Sequence, residues 1–156
     1  MQKEYTAAYL SLGSNLGDRE KNLDEAIRHL NEEVGVVFVC SSFYETEPWG
    51  FDSERLFLNM AVGLNTLLDP FGLLDTCKRI EREMGRLQST REGYEDRLID
   101  IDLLFYSDRV IKTPLLELPH PKLHLRRFVL DPLAEIAPKL RHPELGKTIE
   151  ELKNNI

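Results

Sequence analysis

Apolar residues recur along the chain with two different periods, and the switches between them divide it into elements. Thr6 to Leu12 is a short apolar stretch that stops at the glycine-bounded polar turn Gly13-Ser14-Asn15-Leu16-Gly17-Asp18, which predicts a strand and then a loop. From Arg19 to Glu33, the residues Leu23, Ala26, Ile27 and Leu30 return at three- and four-residue steps behind Asp18 as N-cap, the pattern of an amphipathic helix. Val34 to Tyr44 is β-branched and aromatic, Glu45 to Ser53 interrupts it with Pro48 and Gly50, and Leu56 to Leu67 resumes it. Two strands joined by a long loop are expected. In the second of them Leu56, Leu58, Met60, Val62 and Leu64 alternate with Phe57, Asn59, Ala61, Gly63 and Asn65, so one face is core and the other is available for a ligand.

Asp69-Pro70 reads as a cap followed by proline at the first helical position, and Leu73, Leu74, Cys77, Ile80 and Met84 continue as a helical stripe that ends before Gly85. Arg86 to Arg97 is polar and predicts an exposed mobile loop. Leu98 to Tyr106 alternates as a strand, with Ser107-Asp108 turning it towards a short partner around Arg109 to Lys112. Pro119 to Arg126 is a Pro/His/Arg loop, Phe128 to Ala137 a short helix stopped by Pro138, and Thr148 to Glu151 has the capping-box spacing of a terminal helix. The order strand, helix, strand, strand, helix, strand predicts an α+β fold, a ferredoxin-like βαββαβ sandwich. Its sheet is mainly antiparallel with helices on one face and the other face open, and a C-terminal hairpin/helix extension follows.

Composition narrows what such a fold can do. The 156 residues, 42% of them hydrophobic, suffice for one domain over 1–156 with its own core. With 20 Lys+Arg against 27 Asp+Glu and a net charge of -7, the chain lacks the positive field of a general nucleic-acid binder. The longest apolar run, Val34 to Cys40, is far below the roughly 18 residues of a membrane span. Cys40 and Cys77 sit in apolar segments without metal or redox spacing and read as buried small residues, so a cytoplasmic setting is expected, with no nucleic-acid or membrane partner.

The most informative chemistry is Asp100 and Asp102, two apart on a strand and therefore on one face at roughly 7 Å spacing. A like-charged pair this close wants cationic company, and magnesium bridging phosphates is one solution; an edge strand with two solvated aspartates is the plain alternative. Arg86 and Arg97 bracket the loop before this strand, and His120, Lys122, His124, Arg126 and Arg127 crowd a second loop. Paired carboxylates, separated basic loops and an open sheet face suit phosphoryl transfer, in which positioning and charge stabilisation dominate. Gly13 to Gly17 lacks the Gly-Lys-Ser/Thr ending of a phosphate loop and reads as a structural turn. Trp49, Phe57 and Phe128 are either core aromatics or walls for a flat heterocycle.

Taken together, the motifs resemble the 6-hydroxymethyl-7,8-dihydropterin pyrophosphokinase family over nearly the whole chain. The resemblance rests on Leu12 to Gly17, Ser42 to Gly50, Phe57-Leu58-Asn59, Arg79-Ile80-Glu81 with Gly85-Arg86, Arg97 with Asp100 to Leu104, and Pro119-His120-Pro121 through Arg126, Phe128 to Leu130 and Pro132-Leu133. It implies a single pyrophosphokinase domain that moves pyrophosphate from ATP to the pterin hydroxymethyl group, releasing AMP, in folate biosynthesis. It implies Asp100 and Asp102 as ligands of two Mg²⁺ ions, Arg86 and Arg97 as contacts to the triphosphate, and Glu81, His120 and Arg126 as further ATP-side residues. By the same resemblance, Thr46, Trp49, Phe57, Asn59 and Phe128 line the pterin pocket. The chain departs from the family in carrying Tyr94-Glu95-Asp96-Arg97 where a Trp-Gly-Pro-Arg type sequence is usual, Lys78 for a common glutamine and Phe57 for an occasional tyrosine. Two other readings use the same fold. A two-metal nucleotidyl transferase would release pyrophosphate rather than AMP, and a non-catalytic binding module would need the aromatic, basic central strand that Ile101, Asp102 and Leu103 replace.

Overall fold

The computed structural model describes residues 4–47, 55–85 and 98–156. Strands β1 (Thr6–Ser14), β2 (Gly35–Cys40), β3 (Tyr44–Thr46), β4 (Phe57–Thr66) and β5 (Asp100–Tyr106) form one antiparallel sheet in the order β2-β4-β1-β5, with the short β3 also on β4. Helices α1 (Arg19–Glu33) and α2 (Pro70–Gly85) supply the two crossovers, giving the expected βαββαβ arrangement. The local signals behave as read. Asp18 accepts from the Lys21 N–H at the start of α1, and Asp69 accepts from the Gly72 N–H at 2.7 Å ahead of α2.

Ala8, Leu10 and Leu12 of β1 meet Leu58, Met60, Val62 and Leu64 of β4, and Leu23, Ala26, Leu30, Leu73, Cys77 and Ile80 from the two helices close this core from one side. Truncating a fully buried leucine here, such as Leu10 or Leu64, would cost about 2–5 kcal/mol. The chain after β5 goes to the other face. A small hairpin of β6 (Ile111–Lys112) and β7 (Glu117–Leu118) leads through a 3-10 turn (Leu123–Leu125) to α3 (Arg127–Ile136) and α4 (Ile149–Asn154). Leu130, Leu133, Ile149 and Leu152 pack there with Ala61, Leu104 and Phe105. Thr148 and Glu151 make both bonds of the capping box. The extension thus lies over one end of the second face, and Asn59, Gly13, Asp100 and Asp102 lie at the other end of that face.

The structure corrects several details. The strand expected to stop at Leu12 runs on through Gly13, which pairs with β4 and β5 on its two sides, to Ser14, which pairs with β4. The segment at Ile111–Lys112 pairs with Glu117–Leu118 rather than with β5. Phe105, expected on the face of Ile101 and Leu103, joins the opposite core, because a bulge against Tyr9 and Leu10 inserts Leu104 as an extra residue and reverses the alternation. Leu56 lies just outside β4 and is exposed, and Cys40, on the edge strand β2, is exposed while Cys77 is buried. Burial pushes the Cys77 thiol up to about 12. No helix among the described residues is long and apolar enough to cross a membrane.

Candidate active site

In an antiparallel sheet, residues directly opposite one another project from the same face. Gly13 is paired with Asn59 on one side and with Asp100 on the other, Ser11 stands between Ala61 and Asp102, and Thr46 is opposite Phe57. One row across the sheet therefore runs from Tyr44 through Asn59 and Gly13 to Asp100, with Thr46 and Phe57 beside it on the same face and Ser11 and Asp102 in the row next to it. Asn59 and Asp100 are two strand spacings apart, about 10 Å. The row joins two sequence-predicted groups that are some forty residues apart in the chain.

Gly13 is where the row narrows. A Cβ there would lie 2.8 Å from Asn59 Oδ1 and 3.4 Å from the Phe57 ring, so glycine is what lets both side chains lie down over β1. Asn59 is buried and its Nδ2 donates to Thr46 Oγ1 at 2.6 Å, which fixes the amide with Oδ1 over Gly13. Among the described residues, one acceptor and one further N–H of this amide are left for a partner. The reading of the Gly13 segment as a structural turn missed this, and only its pairing on both sides exposes it.

β5, expected as a central strand, is the sheet edge, and Glu81 of α2 covers one of its backbone donors by accepting from the Ile101 N–H at 2.7 Å. The Glu81 carboxyl is pushed up to about 7 by burial first and then by the charge of Asp100 beside it. This stretch of edge is dense in negative charge, and the oxygen-only donor set of Asp100 and Asp102 with Glu81 behind them suits a hard cation such as Mg²⁺. Farther along the same edge the His120 N–H donates to Leu104 O at 3.0 Å, which brings the basic loop against β5 only two residues beyond Asp102. His120 Nδ1 accepts from the Lys122 N–H at 3.1 Å, leaving Nε2 as its N–H donor. Burial, then the charges of Arg126 and Lys122, push the His120 imidazole down to about 4, so it is neutral at pH 7. Arg126 is buried, and its guanidinium lies over the Phe128 ring, 5.6 Å from the centroid. A groove of about 240 Å³ bordered by Glu117, His120, His124 and His142 opens beside this loop.

The structure thus gathers Thr46, Phe57 and Asn59 at one side of Gly13, Asp100, Asp102 and Glu81 at the other, and His120, Arg126 and Phe128 along the extension. Trp49, Arg86, Arg97 and the Tyr94-Glu95-Asp96 departure lie outside the described residues. Two residues the sequence reading passed over tie these groups together. Arg19, at the start of α1, donates to Leu56 O at 2.9 Å and to Glu45 at 2.7 Å, joining the two stems of the loop between β3 and β4. Glu135 of α3 accepts from Ser42 and Tyr44, and its contact with the Tyr44 hydroxyl, followed by burial, pushes that phenol up to about 12. Its spacing of seven from Phe128, two helical turns, was the available signal. Away from the site, His29, Glu33 and Glu83 bring possible ligand atoms together, but Arg79 bonds both carboxylates and supplies the positive charge there.

A sequence model of the 7,8-dihydro-6-hydroxymethylpterin-pyrophosphokinase (HPPK) family matches residues 9–138. The 2-amino-4-hydroxy-6-hydroxymethyldihydropteridine pyrophosphokinase of Porphyromonas gingivalis (strain W83) is 51% identical over 138 residues, 87% of this chain and 93% of that protein. The Bacillus subtilis protein of the same name is 46% identical over 130 residues, 83% of this chain and 77% of its own. The Folic acid synthesis protein FOL1 of Dictyostelium discoideum is 40% identical over 95% of this chain, which spans only 22% of that longer protein. Among solved structures, the Plasmodium falciparum HPPK-DHPS with pteroate superposes with a TM-score of 0.78 at 19% identity, over 99% of this chain and 43% of that one, a likeness of fold in which this chain spans less than half of the larger chain.

Proposed function

Because the chain belongs to the 7,8-dihydro-6-hydroxymethylpterin-pyrophosphokinase family, we propose that the open sheet face around Gly13 is where it transfers pyrophosphate from ATP to 6-hydroxymethyl-7,8-dihydropterin, releasing AMP, in folate biosynthesis. The observation that carries this reading is the row across the sheet, with an amide and an aromatic ring on one side of Gly13 and paired carboxylates on the other. A flat donor–acceptor heterocycle and a polyphosphate need these two surfaces, next to each other.

In this reading Asn59 presents Oδ1 and its remaining N–H to the pterin edge while Thr46 holds the amide in place. Phe57 and Phe128, with Trp49, supply the walls on which the ring system stacks. Asp100 and Asp102 are the residues that would hold Mg²⁺, two ions in the full assembly. When bound, those ions neutralise phosphate oxygens and make the β-phosphorus a better target for the incoming hydroxymethyl oxygen. Glu81 holds the edge strand at Ile101 and so fixes where both carboxylates project. The neutral His120 offers Nε2–H, and Arg126 a guanidinium, to phosphate or nucleotide groups without adding a mobile proton near the reacting oxygen. Arg86 and Arg97 are assigned to the triphosphate. The hydroxymethyl oxygen, brought within reach by the pterin wall, attacks in line as AMP departs, and the protein contributes mainly position and charge. The domain is the single pyrophosphokinase unit 1–156. Two thiols outside any disulfide fit its assignment to the cytoplasm.

The test is the nucleotide product after incubation with Mg-ATP, with and without the pterin. AMP formed only with the pterin, mole for mole with pyrophosphorylated pterin, is expected. Release of pyrophosphate from ATP would replace this reading by nucleotidyl transfer, and binding without turnover would make the chain a binding module.

A further inference from the structure

One carboxylate fastens the helix above the site to the strand beneath it. Glu135, in the last turn of α3, accepts from the Ser42 N–H through both oxygens at 3.2 and 3.0 Å, from the Ser42 hydroxyl at 3.2 Å and from the Tyr44 hydroxyl at 2.6 Å. These bonds span more than ninety residues of sequence and draw down the Glu135 carboxyl, chiefly through Tyr44. Phe128, Asp131 and Glu135 are spaced three and four apart and so share one stripe of α3. The stripe follows the strand. Glu135 sits on Ser42 and Tyr44, and Asp131, a turn earlier, is close enough to Tyr44 to add to the upward shift of its phenol. Phe128 lies two turns back along the same stripe of α3, and Thr46 lies two residues on along β3, opposite Phe57 and bonded to Asn59.

We infer that Glu135 is a positioning residue for the pterin: its bonds to Ser42 and Tyr44 set the separation between Phe128 on α3 and the Thr46–Asn59 pair on the sheet, and with it the width of the slot for the ring system. The inference rests on the reading of Phe128, Thr46 and Asn59 as pterin contacts. Among the described residues α3 otherwise meets the sheet through apolar packing around Leu130 and Leu133, which presses the layers together without a directional bond to fix how the helix lies along the strand. A carboxylate with three donors from two residues does fix it. On the ATP side Glu81, Asp100, Asp102 and His120 lie on α2, β5 and the loop before α3, and only Arg126, its N-cap, belongs to the helix, so loosening the Glu135 contact should be felt mainly by the pterin.

The experiment measures KM for each substrate, kcat and melting temperature in wild type, Glu135→Ala, Glu135→Gln, Tyr44→Phe and the Tyr44→Phe/Glu135→Ala double variant. Glu135→Ala should raise the pterin KM about tenfold, the equivalent of one or two ordinary hydrogen bonds, with the ATP KM within about twofold. Glu135→Gln, which keeps an acceptor for Tyr44, should recover most of the loss, and the double variant should be no worse than Glu135→Ala. A pterin KM unchanged in folded Glu135→Ala, equal rises in both KM values, or strictly additive effects of the two substitutions would overturn the inference. If Glu135→Ala does not fold, Tyr44→Phe carries the test, with a roughly threefold rise in pterin KM expected and no change overturning the inference. A wild type without pterin-dependent AMP would instead overturn the functional reading, and this inference with it; an active wild type with an indifferent Glu135 overturns the inference alone.

Discussion

Gly13→Ala puts one methyl group at the centre of the row. The new Cβ would lie 2.8 Å from Asn59 Oδ1, about half an ångström inside ordinary contact, and 3.4 Å from Phe57. Asn59 has two torsions to yield with, but it is 4% exposed and held by Thr46 at 2.6 Å, so it must tilt away and strain or break that bond. Overpacking of this size costs about 1–3 kcal/mol of stability. Losing the Asn59 orientation removes about two pterin hydrogen bonds at roughly 1 kcal/mol each, which is about 30-fold in affinity. Initial rates of AMP formation at varied pterin should show the pterin KM up by that order, while the ATP KM stays within about twofold because Asp100, on the far side of Gly13, keeps its backbone register. A folded Gly13→Ala variant with an unchanged pterin KM would refute the placement of the pterin edge on Asn59. Equal loss for both substrates would mean that the methyl group displaces β1 as a whole.

Other consequences follow from the same geometry. Asp102→Asn should lower kcat by about 10³-fold or more, since a charge that positions cations on the phosphates is removed; retention of most activity would sink the metal assignment. His120 is neutral in the fold with its pKa lowered to about 4 against about 6.5 when unfolded, so the unfolded state binds the extra proton and stability falls as pH drops from about 6.5 towards 4. Arg126 and Lys122 disfavour the charged imidazole and Glu117 opposes them. The loss, at most about 3 kcal/mol and reduced by the partial exposure of His120, should be absent from His120→Gln, and parallel stability–pH curves for the two proteins would contradict it. Thr148→Ala removes the side-chain cap of α4 and should cost about 1 kcal/mol in denaturant unfolding, with both KM values unchanged; a kinetic effect would mean that α4 bears on the site.

Local signals were legible because they act over a few residues. Asp18 and Asp69 announce the two helices, the alternation in β4 sorts Leu58, Met60, Val62 and Leu64 from Asn59 and Ala61, and the two-residue step places Asp100 and Asp102 on one face. What the pattern could not show is set by partners far along the chain. Gly13 reads as a turn until β4 and β5 are known to flank it. Phe105 changes faces because Leu104 bulges against Tyr9, and no periodicity within β5 encodes that. Cys40 looks like a core residue in a run of valines, and is exposed because β2 falls at the edge of the sheet. Glu135 and Arg19 carry no local pattern that marks them, and their importance lies in partners dozens of residues away. The aspartate pair was therefore visible early, whereas the way it adjoins the heterocycle pocket was not.

Whether the sheet places the pterin and the polyphosphate on either side of Gly13 can be seen in a crystal structure of the chain with 6-hydroxymethyl-7,8-dihydropterin, Mg²⁺ and a non-hydrolysable ATP analogue. The pterin edge is expected to be hydrogen-bonded to Asn59 and its rings to lie between Phe57 and Phe128, with the metal ions on Asp100 and Asp102 and the hydroxymethyl oxygen directed at the β-phosphorus. A pterin bound elsewhere, or metal ions held without both aspartates, would contradict it.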